Sequence, residues 1–229
     1  MDGVLVIDKP VGPTSHDIVA WARRTLNERR VGHTGTLDPA ASGVLPLVIG
    51  KATRLARFLT AGDKSYDAVI RLGFSTDTGD AQGAPLGAVY AGALPARDAI
   101  DAALDPFRGS FLQQPPAYSA KKIDGRRSYR LARAAARSRQ HEAPGTSPAP
   151  STEHPAPSTL HPALVTVSAL TLVSLEGDRV TVSVECSAGF YVRSLAHDLG
   201  ERLGTGGHLA ALRRTRSGDY SLSEATPLA

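Results

Sequence analysis

The sequence predicts an α+β domain built on a mixed, mainly antiparallel sheet. Two segments, Leu164 to Leu175 and Arg179 to Cys186, alternate apolar and polar residues and meet at Gly177-Asp178, the pattern of an antiparallel strand pair. Strand-like and helix-like stretches elsewhere do not alternate as they do in doubly wound folds, and no internal repeat is visible. With 229 residues and 41% hydrophobic content, the chain is long enough to bury one large core.

Each element follows from local pattern. Gly3 to Asp8 reads as a strand, closed by the turn Lys9-Pro10-Val11-Gly12-Pro13. Ser15 is placed to cap a helix from His16 to Leu26, with Ile18, Trp21, Ala22, Thr25 and Leu26 on one face. Ser42 to Gly50 is a buried strand or turn, Lys51 to Leu59 a helix carrying Arg54 and Arg57, and Tyr66 to Gly73 a strand followed by the polar loop Thr76 to Asp80. Pro95 to Phe107 suggests a helix and Gln114 to Lys122 an extended basic loop. From Arg126 a helix would line Arg126, Arg130, Arg133 and Arg137 along one side. Residues 139 to 162 hold six of the sixteen prolines among Ala, Ser and Thr and read as a flexible insertion that adds nothing to the core. Leu195, Leu199 and Leu203 mark a helix after Gly189 to Arg193, and Arg213-Arg214 a last helix.

Composition narrows the function classes. Cys186 stands alone, so no internal disulfide exists, and no long apolar run or charged leader is visible; a reducing cytoplasm is the expected setting. The net charge is +4 and the basic residues are 21 Arg against 5 Lys, a bias that suits phosphate oxygens and base faces. His141, His154 and His161 are irregularly spaced and lack Cys or carboxylate companions, so no metal site is expected there.

One stretch points to chemistry. Gly32-His33-Thr34-Gly35-Thr36-Leu37-Asp38-Pro39 places a carboxylate on a turn that two glycines and a proline keep from becoming helix. A short side chain on a constrained loop can be held against a substrate as nucleophile or base, which makes Asp38 the first candidate. In an ordinary Asp-Pro turn the same residue only caps the next segment.

These residues carry a resemblance. The run Gly32 to Arg54, the Tyr66 strand with Leu72-Gly73, the loop Thr76-Asp77-Thr78-Gly79-Asp80, the Pro116 to Lys121 segment, and Gly189 to Arg193 followed by Asp198-Leu199-Gly200 occur in the order found in the tRNA pseudouridine synthase B family, which the chain resembles over about residues 3 to 220 apart from the insertion. The resemblance implies the pseudouridine synthase fold, a central mixed sheet flanked by helices and RNA-binding loops. It also implies an isomerase that converts uridine 55 in the tRNA T-loop without metal or organic cofactor. The partner would be the T-arm of tRNA, with no membrane and no obligate protein partner, and the enzyme a monomer. By the same resemblance Asp38 is the catalytic carboxylate, Arg193 its basic partner, and Tyr66 a catalytic-site ring that mainly stacks on the uracil and would assist removal of the C5 proton. Tyr191 and Leu212 line the uracil pocket, and His33 meets the RNA where the target nucleotide leaves the stack.

Lys9, Arg54, Lys121, Lys122, Arg126, Arg130 and Arg133 are candidates for RNA phosphate contacts. The chain departs from the family in three places. It ends at Ala229, where relatives commonly continue into a small RNA-binding domain, so residues 1 to 229 are expected to be one catalytic domain. The insertion at 139 to 162 is longer and richer in proline, and Phe190 stands where a small or polar residue is common. A tRNA-binding or remodelling protein with little catalysis is the alternative. A glycoside hydrolase would want a second carboxylate in a comparable motif, and none is present.

Overall fold

A computed structural model of the chain describes residues 1–116, 122–123, 126–127 and 161–228. In chain order the first half contains β1 (Gly3–Lys9), α1 (Ser15–Thr25), β2 (Val31–His33), β3 (Ala41–Ile49), α2 (Ala56–Thr60), β4 (Lys64–Leu72), β5 (Ser75–Thr76), β6 (Pro85–Leu86), α3 (Arg97–Leu104) and β7 (Gly109–Gln113). The two-residue strands β8 (Lys122–Ile123) and β9 (Arg126–Arg127) pair with each other. Then come β10 (Ala163–Glu176), β11 (Arg179–Cys186), α4 (Val192–Leu203), β12 (Gly207–Ser217), β13 (Tyr220–Ser221) and β14 (Thr226–Pro227).

One ten-stranded mixed sheet organises them, in the order β14-β1-β3-β12-β4-β11-β10-β7, with β2 on β3 and β13 on β12. Alternation decides which side is covered. In β11, Val180, Val182, Val184 and Cys186 are buried, and in β4, Tyr66, Ala68, Ile70 and Leu72 are buried. Both strands therefore present one apolar face to the core, as expected of antiparallel strands solvated on the other. Ile100 and Leu104 of α3 and Leu195, Ala196 and Leu199 of α4 belong to the same core cluster. Gly200 of α4 lies so close to the backbone of Gly206 and Gly207 that a Cβ would sit 2.1 Å from the Gly207 nitrogen, which gives the Asp198-Leu199-Gly200 run a packing reason.

The continuous apolar run of β3 is buried at every position but Ser42. Its flank pairs with β12 at residues 41–43 and with β2 at 47–49. Pro46 falls between those two ladders, and its carbonyl accepts from the Thr34 amide at 3.1 Å. A residue's N–H and C=O point to the same side of a strand, so the hydrogen that proline lacks is missing where no ladder needs it.

The parallel pairing of β3 with β12 brings Gly43 against Arg214, and Gly43 has φ +104°. A Cβ there would stand 2.1 Å from the Arg214 carbonyl oxygen. Gly43→Ala is expected to cost about 3 kcal/mol or more, roughly 6–12 °C in Tm. Thermal unfolding of the purified variant checks this, and an unchanged midpoint contradicts the close approach.

Several local expectations change in three dimensions. The cap of α1 is Thr14, whose hydroxyl takes the Asp17 amide while Asp17 takes the Thr14 amide; Ser15 is buried and serves another segment. Gly50–Leu55 is a 3-10 turn, leaving only Ala56–Thr60 as α-helix. Arg213 and Arg214 belong to β12, a central strand and not a helix, because pairing with β4 and β3 outweighs local preference. Arg126 and Arg127 are strand, paired with Ile123 and Lys122, and the rest of the helix expected from Arg126 lies outside the described residues. Arg130, Arg133, Arg137 and nearly all of the 139–162 insertion lie outside the described residues.

Candidate active site

The Asp38 loop is held from every side by groups distant in sequence. The Ser15 hydroxyl accepts from the Leu37 amide at 2.8 Å and donates to the Leu37 carbonyl at 3.0 Å. Lys9 Nζ donates to the Ala41 carbonyl at 2.7 Å, Arg214 Nη2 to the Gly35 carbonyl at 3.1 Å, and the Gly12 amide to the Pro39 carbonyl at 2.8 Å. Asp38 is thereby displayed on a loop whose backbone groups are tied down, while its own side chain remains 41% exposed. Preorganisation of this kind is what a reacting carboxylate requires.

Arg193 faces it. The α4 helix begins at Val192, so Arg193 sits in its first turn, with a side chain only 8% exposed. Its Nε lies 3.0 Å from Asp38 Oδ2, and its Nη1 donates to the Thr78 carbonyl at 3.0 Å. That carbonyl is set by the Thr76 to Asp80 loop. Within it Thr76 Oγ1 donates to the Asp80 carbonyl and Thr78 Oγ1 to Asp80 Oδ1, both at 2.7 Å. The polar loop noticed in the sequence thus orients the arginine that orients the aspartate.

Asp38, Arg193, Tyr66, Tyr191 and Leu212 all border one open cavity of about 290 Å³. Tyr66 comes from β4, Leu212 from β12 and Tyr191 from the residue before α4. Tyr66 is buried, and burial pushes its phenol above the usual tyrosine range while the nearby Arg214 pulls it back. A raised phenol is a weaker acid still, which favours a role as an aromatic wall over one as a base. Phe190, also on the cavity, packs edge-on against Phe111 at 6.4 Å, so the departure noted at this position is filled by core contact.

Three residues that sequence reasoning missed complete the site. Arg214, 1% exposed, borders the cavity beside Tyr66. Lys64 borders it too, donating to the Thr60 carbonyl at 3.3 Å and to the Gly62 carbonyl. Gln113 grips the Tyr191 backbone with both ends of its amide, at 2.8 and 3.0 Å. Only the alternation around Leu212 could have pointed to Arg214; the other two carry no local signal. Among the described residues, the cavity wall sets the cations Arg193, Arg214 and Lys64 against the Asp38 carboxylate, a polarity that suits an anionic nucleotide.

The remaining candidates lie elsewhere. His33 is on β2, outside the cavity lining, its ring tilted against His16 at a centroid distance of 5.5 Å. Arg54 is exposed on the 3-10 turn. Lys9 is corrected: it is completely buried, its ammonium spent on the Ala41 and Pro10 carbonyls, so it supports the Asp38 loop and reaches no phosphate. Lys121 lies outside the described residues, and of Lys122 and Arg126 only the backbone is described.

Burial lowers Lys9 from 10.5 to about 8, with Asp38 opposing the shift, and burial lowers Lys64 to about 8 as well. Below pH 8 both are charged when folded, and the full cost of burying those charges is present. Between about 8 and 10.5 these two lysines bind more protons in the unfolded chain than in the folded one, which raises stability with pH. Tm is therefore expected to climb from pH 8 to about 9, above which the buried Cys186 thiol, pushed up to about 12, opposes the rise, and Lys9→Met to remove about half of the slope below pH 9. Melting curves across this range check it; a wild-type midpoint that falls from pH 8 to about 9 contradicts the burial of these ammonium groups.

Comparison with known proteins now decides the family. Residues 23–145 match the TruB family pseudouridylate synthase N-terminal domain. The chain is 47% identical over 228 residues to tRNA pseudouridine synthase B of Solibacter usitatus, spanning 100% of this chain and 71% of the relative. This chain belongs to the TruB family of pseudouridylate synthases.

Its C-terminal part, residues 193–228, also matches the tRNA pseudouridylate synthase B C-terminal domain. A second TruB-family relative, from Mycobacterium tuberculosis, is 46% identical over 226 residues, with 99% of this chain and 70% of that protein covered. Among solved structures, a chain of a Cbf5-Nop10-Gar1 complex superposes with a TM-score of 0.70 at 33% identity, covering 99% of this chain and 52% of that one. A chain of an H/ACA RNP bound to a substrate RNA containing 2'-deoxyuridine gives 0.67 at 29% identity, covering 98% and 50%. This chain therefore spans about half the length of those solved chains. As a TruB-family pseudouridylate synthase it is an isomerase, with the pseudouridine synthase fold. Among the described residues no cluster of His, Cys, Asp or Glu could hold a metal ion, and no helix is long and apolar enough to cross a membrane.

Proposed function

We propose that this chain isomerises uridine to pseudouridine at position 55 in the T-loop of tRNA, with Asp38 acting as nucleophile or base on a flipped-out uridine. The observation that carries the reading is the Asp38–Arg193 pair, 3.0 Å apart on the wall of a cavity bounded by the aromatic Tyr66 and by Leu212 and Tyr191. The reaction breaks the bond from the ribose anomeric carbon to N1, turns the base, and joins C5 to the same carbon. The C5 proton leaves to solvent and N1 gains one, so atoms and electrons balance without redox chemistry. A carboxylate that can add and leave again serves this sequence, and a neighbouring guanidinium keeps it aimed.

A cavity of this kind receives a base only after it has left the stack. His33, outside the cavity, is the proposed contact with the RNA at the point of flipping. The T-arm of tRNA as partner follows the names of the relatives, tRNA pseudouridine synthase B. We read the described residues as one catalytic unit, since a single sheet runs from β1 to β14, acting as a monomer without a cofactor in the cytoplasm, a setting that suits a lone buried Cys186.

Phosphate contact at Arg54 is supported by its surroundings: Gly50 to Thr60 contains Lys51, Arg54 and Arg57 and no acidic residue, and Thr60 reaches the cavity wall. Arg54→Ala is expected to reduce the slope of log affinity against log salt by about one and to leave the chemical step unchanged. Titration of tRNA at several salt concentrations checks this; an unaltered slope removes Arg54 from the interface.

The test of the function is incubation with unmodified tRNA transcript carrying tritium at C5 of uridine. Release of tritium that maps to the T-loop uridine supports the reading. Tight binding without release supports a tRNA-binding protein instead, and release from another position moves the substrate.

A further inference from the structure

Arg214 does something the catalytic pair does not require. It stands directly opposite Tyr66 in the β12–β4 register, and its guanidinium donates to the Val44 carbonyl from Nε at 2.7 Å and to the Gly35 carbonyl from Nη2 at 3.1 Å. The Tyr66 phenol lies within reach of the charge on that guanidinium. Gly35 belongs to the loop that presents Asp38, and Tyr66 and Arg214 both border the cavity. A cation 1% exposed is costly where an apolar side chain would serve to fill space. Its two carbonyl acceptors lie on β3 and on the Asp38 loop, and Tyr66 faces it from β4.

We propose that Arg214 is a positioning residue for the isomerisation, bracing Tyr66 on β4 against the loop held at the Gly35 carbonyl so that the aromatic wall and the Asp38 carboxylate keep one spacing. The proposal rests on the roles assigned above to Tyr66 and Asp38. A lysine in the same place is one point donor and cannot hold both carbonyls and face Tyr66 as the planar fork does.

The experiment is a double-mutant cycle read by single-turnover tritium release at saturating tRNA transcript, with thermal melting of each protein. Arg214→Lys is expected to lower the rate constant at least tenfold while the half-saturating tRNA concentration moves less than threefold. In a Tyr66→Phe background the same substitution is expected to cost no more than threefold, because the phenol through which Arg214 acts is already gone. Losses that multiply across the cycle, or a lysine variant with near wild-type rate, overturn the proposal. If Arg214→Lys shows no cooperative melt, Arg214→Gln is read in the same way, and failure of both to fold makes the residue structural and likewise overturns it. Wild-type protein that releases no tritium removes the functional reading itself, whereas multiplicative losses in an active enzyme remove only Arg214.

Discussion

Asp38→Asn is expected to lower the single-turnover rate of pseudouridine formation by at least about a thousandfold, on the order of 4 kcal/mol of transition-state stabilisation. The amide keeps the volume and the polarity of the side chain but can neither add to an electrophilic carbon and leave again nor accept a proton at neutral pH. The fold is expected to survive, because the loop is held through backbone groups by Ser15, Lys9, Arg214 and Gly12, and the Asp38 side chain contributes none of those bonds. Arg193 keeps its bond to the Thr78 carbonyl when the carboxylate is lost. Binding of tRNA should therefore stay within a few-fold of wild type, which separates loss of chemistry from loss of structure. Rapid-mixing tritium release with parallel filter binding reads both quantities. A variant that retains even a tenth of the wild-type rate would move the catalytic role away from Asp38.

Arg193→Lys is expected to lower turnover at least tenfold, on the order of 1.4 kcal/mol, with a smaller effect on KM. One guanidinium meets two partners here: Nε reaches the aspartate while Nη1 reaches the Thr78 carbonyl, an angle built into the planar fork. An ammonium can satisfy one of them and leaves the other to reorganise. Arg193→Met should be worse than Arg193→Lys, because it leaves Asp38 without the cation beside it. If the lysine variant turns over at the wild-type rate, the fork geometry has no catalytic consequence. If the methionine variant does so as well, Arg193 leaves the site altogether. Both predictions use the same assay, so their ratio is free of errors in substrate preparation.

Much of the site was visible before folding because its signals are local. A glycine-rich turn ending in Asp-Pro is a sequence-adjacent pattern, and so is the Thr76 to Asp80 loop, whose side chains bond mainly to their own neighbours. Ser15 is a different case. Read locally it is a helix cap, yet its hydroxyl spans 22 residues to Leu37, and Thr14 does the capping. Lys9 is a candidate phosphate contact in the sequence, and only the packing of the folded chain shows it to be enclosed. Gln113 carries no motif at all; it matters because β7 ends where α4 begins, 78 residues later in the chain.

The sequence by itself determined the Asp38 turn, the Leu164 to Cys186 hairpin with its apolar face, and the helix spacing of Leu195, Leu199 and Leu203, since each depends on residues a few positions apart. Only the tertiary structure decided that Arg213 and Arg214 form part of a central strand and that Arg214 reaches Val44 and Gly35 from 170 and 179 positions away. It alone brought Tyr66, Leu212, Tyr191 and Arg193 around one carboxylate. The physical reason is that strand pairing and the burial of a charge are settled by partners across the sheet. Their free energies exceed the local preference of two arginines for helix.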